Sequence, residues 1–173
     1  MEKLTLEHIA PFLPYGLNAT TKECGYKLPE NGIITSWQGH GNIDEQIVIS
    51  TGDGYYLSSV EKTVPILRSM NLAQPITVDG KEIVPIVELA KMHFPNYQWE
   101  ITNRKYVVCG ESAFEFSENG FYYWDKDGQV GHIPNQIVLF KWLYAHKFDV
   151  DGLIEKGLAI DVNTLETNPY ETA

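Results

Sequence analysis

Residues 135–164, NQIVLFKWLYAHKFDVDGLIEKGLAIDVNT, hold the strongest local signals in the chain and most of its uninterrupted hydrophobicity. Asn135 follows Pro134 and suits a helix N-cap, and Ile137 to Phe148 supplies about three turns. At helical spacing Ile137, Phe140, Tyr144 and Phe148 share one flank, while Val138, Leu139, Trp142 and Ala145 cover much of the rest. A helix so apolar all round is normally buried on several sides, and it also suits a dimer interface. Asp149 then offers a second N-cap, Val150, Leu153 and Ile154 repeat helically, and Gly157 sits where a left-handed C-terminal residue is wanted. Leu158 to Val162 closes the stretch as a short strand.

Outward from this centre the pattern favours strands. Leu17–Leu28, Gly32–Gln38 and Gln46–Ser50 alternate between turn-forming clusters. Ile76–Val84 is a hairpin on Asp79-Gly80, whose residues accept the positive φ of a two-residue turn. Trp99–Cys109 forms another strand, and Ala113–Ser117, Phe121–Asp125 and Gln129–Ile133 form a meander on Asn119-Gly120 and Asp127-Gly128. Short helices are expected after Thr5, after Ser58 (with Glu61 at capping-box spacing and Val60, Val64 and Leu67 on one stripe) and from Pro85. The expected architecture is α+β: small antiparallel sheets and hairpins packed with four or five short helices, the 135–148 helix central. One domain over 1–173 suits the length, with about 164–173 as a flexible tail.

Composition narrows the function classes. Thirteen Lys and Arg are scattered among 23 carboxylates, for a net charge of −10, so direct nucleic-acid binding is disfavoured. No apolar run approaches the ~20 residues that span a bilayer. Cys24 and Cys109 lie far apart without metal spacing, which suits two buried thiols in a reducing cytoplasm, with a single disulfide as the alternative. Ten Tyr, seven Phe and four Trp exceed what an ordinary core needs, leaving rings for a surface.

Two stretches are candidate sites. On the 121–125 strand, Phe121 and Tyr123 alternate with Tyr122 and Trp124, which form a binding platform if that face is open and core if a helix covers it. The loop from Trp37 through Gly39-His40-Gly41 to Glu45 lets backbone approach a ligand, with His40 to exchange a proton and Asp44 or Glu45 to orient it; a turn between strands with an exposed His is the plainer reading. Trp37 joins Tyr122 and Trp124 as a binding candidate. His8, His93, His132 and His146 show no paired-ligand spacing, so neither metal nor cofactor is expected.

Leu4–Leu17 (LTLEHIAPFLPYGL) resembles the opening of small proteins from prophage and mobile-element regions of anaerobic gut bacteria. Phe148–Asp161 resembles their close, and Pro65–Arg68 with Val84–Ile86 is similar to their middle, whereas Leu17–Tyr55 and Glu100–Val130 match nothing in them. The resemblance implies a bacterial cytoplasmic, phage-like setting and carries over no activity, cofactor or catalytic residue. The leading expectation is a non-enzymatic accessory or regulatory protein that binds another protein. The alternatives are a small enzyme or metabolite binder on the Gly39-His40-Gly41 loop, and an acidic nucleic-acid mimic.

Overall fold

The computed structural model describes residues 2–21, 32–38, 46–51, 54–117 and 120–171. Among these, thirteen strands in three sheets outweigh three α-helices and three short 3-10 turns. The chain divides into two compact units, Met1–Ser69 with Leu143–Tyr170, and Met70–Trp142 with Glu171.

The first unit is a six-stranded sheet. Its strands are β1 (Leu17–Thr21), β2 (Gly32–Gln38), β3 (Gln46–Thr51), β4 (Gly54–Ser59), β5 (Thr63–Leu67) and the two-residue β13 (Ile160–Asp161). They lie in the order β13-β5-β1-β2-β3-β4, antiparallel except for β13 beside β5. Alternation puts Leu17, Ala19, Ile34, Ile47 and Ile49 on one face, where they bury with Ile9 and Phe12 from the N-terminal turns and with Leu153 and Leu158. Those turns are the four-residue helix α1 (Leu6–Ile9) and a 3-10 continuation, Ala10–Tyr15, that ends at Gly16. β5 is buried along its whole length and contains Pro65. β13 pairs only Ile66 and Leu67, so the missing N–H of Pro65 forfeits no bond on that side.

The second unit carries a five-stranded meander, β12-β11-β10-β9-β8. Its members are β8 (Glu100–Asn103), β9 (Tyr106–Cys109), β10 (Ser112–Ser117), β11 (Gly120–Trp124) and β12 (Val130–His132). The hairpin of β6 (Ile76–Val78) and β7 (Lys81–Ile83) turns on Asp79 and Gly80 at φ 49° and 72°, the pair of positive angles a type I′ turn requires. Helix α2 (Pro85–His93) starts on its proline, whose absent N–H is an orphan at that position anyway. Phe94, just beyond α2, stacks on Tyr123 with ring centroids 4.3 Å apart. Phe114, Phe116 and Phe121 continue the aromatic core, and Phe140 meets Phe121 edge-on at 5.6 Å.

The fold is therefore mostly β, not the α+β arrangement of four or five helices around a central one. The supposed helix after Ser58 is the end of β4, a single 3-10 turn (Val60–Lys62) and β5. A strand buried on both faces carries the same unbroken apolar run as a buried helix, and capping-box spacing does not separate them. The 135–148 helix is shorter, α3 (Gln136–Ala145), and the division between the units falls inside it. Asn135 precedes it at φ 59°, and Ile137 and Val138 stay exposed where burial all round was expected. Residues 149–157 form turns. Trp99–Cys109 holds two strands, β8 and β9, rather than one.

Candidate functional site

His40, Asp44, Glu45 and Cys24 lie outside the described residues. Trp37 stands on β2 opposite Ile47, and its side chain is likewise outside them. Among the described residues no three His, Cys, Asp or Glu gather as a metal site, and no helix is long and apolar enough to cross a membrane. Cys109 is a free thiol.

β11 sorts its aromatics by face. Phe121 and Tyr123 pair with Phe116 and Phe114 and share their side of the sheet. Tyr122 and Trp124, opposite Glu115 and Ala113, project from the other side and are half-buried. The indole Nε1 of Trp124 is buried without a hydrogen-bond partner. On the core side the Tyr97 phenol bonds to Tyr123, which holds its proton above the ordinary range, and Tyr123 Oη donates to Ser112 Oγ at 3.2 Å. Nothing in this relay activates a nucleophile.

A more exposed surface lies on the first unit, and no sequence motif announces it. Cross-strand partners share a face, so Ile33, Ser50 and Tyr55 form one row and Val48 and Leu57 the next, on the side opposite the core. Tyr55 is 77% exposed, Leu57 61% and Ile33 46%. Tyr56 faces the core side but is open at the margin. The available signal was compositional: Gly54-Tyr-Tyr-Leu-Ser-Ser59 has three large apolar residues and no charge.

One buried cationic cluster stands apart. After α3 the chain closes with a Schellman motif: Phe148 N donates to Leu143 O (3.0 Å) and Lys147 N to Tyr144 O (3.1 Å). Lys147 fills the left-handed position glycine usually takes, at φ 64°. Its Nζ donates to the carbonyls of Tyr15 and Ala145 and lies near the rings of Tyr15 and Tyr170. Burial, helped by the Arg68 charge, holds its pKa down at about 8 against an ordinary 10.5. Tyr170 Oη donates to Ile66 O at 2.6 Å, and burial raises its phenol.

A pH dependence follows. Between about pH 8 and 10.5 the unfolded chain keeps the Lys147 proton that the folded chain has lost, so stability rises with pH. From about pH 10 an opposing contribution sets in and above about 10.5 the sign reverses, because burial keeps Tyr144 and Tyr170 protonated in the fold while the unfolded phenols ionise. Urea midpoints measured from pH 7 to 11 should climb and then fall. In Lys147→Met the climb should vanish, and a persistent climb would assign it to another group.

Comparison with family models, curated proteins and solved structures finds no match.

Proposed function

We propose that the protein is a non-enzymatic accessory or regulatory factor that works by binding another protein, in the phage or mobile-element setting its terminal and central segments resemble. The observation that carries this reading is the exposed apolar face of β2–β4, with Ile33, Tyr55 and Leu57 standing in adjoining rows. Isolated exposed apolar residues are ordinary, but contiguous ones on a rigid sheet are a common mark of contact surfaces. The acidic balance favours a basic partner and works against nucleic acid. The half-buried Tyr122 and Trp124 offer a second surface, separately testable.

The test is a pull-down of tagged protein from nuclease-treated bacterial lysate, with wild type, Leu57→Lys and Trp124→Ala side by side. A stoichiometric partner reduced about tenfold or more by Leu57→Lys and kept by Trp124→Ala is expected. Loss in Trp124→Ala alone would move the surface to β11. A partner retained by both variants would remove both surfaces.

A further inference from the structure

Resting on that surface, we propose that β4 is the self-association edge of the protein, pairing antiparallel with β4 of a second copy about a two-fold axis at Tyr56. The remaining outer face, doubled across the joint, is then what a partner meets.

Exposed strand edges in native proteins are normally protected. A strand edge offers unpaired N–H and C=O groups to any other chain, and proteins blunt it with charge, proline, bulges or brevity. Among the described strands every other edge is blunted. β8 carries Glu100 and a shift of register between Ile101 and Asn103, with Arg104 and Lys105 next in sequence. β12 has three residues and β13 two, and β7 is Lys81-Glu82-Ile83 beside an equally short β6. β4 has six residues, an unbroken register against β3 and no charge or proline. Among the described strands it pairs with β3 alone.

The edge is also complementary to itself. β3 and β4 join through two residues and close on the Thr51↔Gly54 pair, which such a connection makes a hydrogen-bonded pair. Counting from it, the backbone groups of Tyr56 point toward β3, and those of Tyr55 and Leu57 point to the free edge. A two-fold axis at Tyr56 sets Tyr55 of one copy against Leu57 of the other, so each pair exchanges its free N–H···O bonds. Tyr55 and Leu57 of both copies then form one apolar row on the outer face, and Tyr56 meets Tyr56. Charge decides between occupants. Two copies each at −10 repel over most of their surfaces, but this contact sets uncharged strand against uncharged strand. A basic partner strand would find no carboxylate on β4 to meet. An isologous contact also closes on itself and leaves no edge for a third chain.

Sedimentation equilibrium at about 50 μM should give a wild-type dimer, with the dissociation constant raised about 100-fold or more by Leu57→Lys. The register is read with single cysteines in a chain whose Cys24 and Cys109 are replaced by serine. Non-hydrogen-bonded partners stand about 4.5 Å apart at Cα, within disulfide reach, so Tyr56→Cys should oxidise to a covalent dimer. Tyr55→Cys, which faces Leu57, should not. A monomeric wild type, or a dimer untouched by Leu57→Lys, overturns the proposal, as does cross-linking at position 55 in place of 56. If the wild type is monomeric but Leu57→Lys still loses a pulled-down partner, only the self-pairing fails. If it is monomeric and the partner survives, the binding surface fails as well.

Discussion

Phe121→Ala should destabilise the second unit by about 3–5 kcal/mol, the range for removing a fully buried aromatic ring. Phe121 is completely buried and touches Phe114, Phe116 and Phe140 at centroid distances of 5.7, 4.9 and 5.6 Å. Alanine at this position of β11 leaves a cavity with three rings on its walls. Gln136 adds a second dependence, because its side chain accepts from Phe121 N at 3.0 Å and donates to Phe121 O at 3.2 Å, binding the first residue of α3 to β11. Since a whole domain is stable by only about 5–15 kcal/mol, the variant should keep little protection from hydrogen exchange in Met70–Trp142. Phe121→Leu, which keeps most of the apolar volume, should lose roughly a third as much. Protection unchanged in Phe121→Ala would mean that the aromatic core is not what holds the meander.

The second large effect is expected at Asp149. The residue is 4% exposed, and its carboxylate accepts from Leu153 N at 2.7 Å and Ile154 N at 2.8 Å, while its own N–H donates to Arg68 O at 2.8 Å. Asp149 thus organises the 149–158 turns that deliver Leu153 and Leu158 to the core of the first unit. Alanine removes the acceptor and strands two amide protons beside a buried leucine. At about 1–3 kcal/mol for each unsatisfied buried group, Asp149→Ala should lose about 2–5 kcal/mol by urea denaturation. Asp149→Asn keeps one side-chain oxygen as acceptor and turns N–H groups toward the other donor, so it should fall between. Burial raises the Asp149 carboxyl, with the two amide bonds opposing. On acidification the folded chain therefore takes up this proton before the unfolded chain does, and the wild type should gain on Asp149→Asn over that interval. Equal stability of all three chains at neutral pH would show that the turns hold without their acceptor.

Local chemistry was legible in the sequence wherever a few residues decide the outcome. Asp79-Gly80 turns as its composition requires, Pro85 opens α2, and Gly157 takes the left-handed angle at φ 69°. The meander from Ala113 to Ile133 is visible in its alternation, although Gly120, read as a turn residue, is already in β11 opposite Ser117. What failed depends on distant pairing. Val60, Val64 and Leu67 fall on a helical stripe, but β1 and β13 claim Thr63–Leu67 as a central strand. The helix expected to run to Phe148 stops at Ala145, because Lys147 turns left-handed and Phe148 is held as a bridge to Arg68. A lysine at that angle has no local signature. Nor does Tyr170, whose anchorage needs Ile66 O and Asn18 N, more than a hundred residues away. The exposed β4 row has no local signature either, because an uncharged Tyr-Tyr-Leu takes its meaning from lying on an outermost strand.

The first unit is built from two pieces of chain, with Met70–Trp142 inserted between them. That arrangement sets a timetable for synthesis. The inserted unit has all its strands once Trp142 has emerged, and they lie in a single run of chain. The first unit cannot finish until β13, Leu153 and Leu158 arrive near the end, although β1–β5 emerged long before. At about 5–20 residues per second, the interval from residue 69 to residue 170 is roughly 5–20 s. Through that time the half-built sheet lacks part of its core and its last strand, and the uncharged β4 edge is open to any nascent neighbour. Chains made side by side on one messenger pass through that interval together.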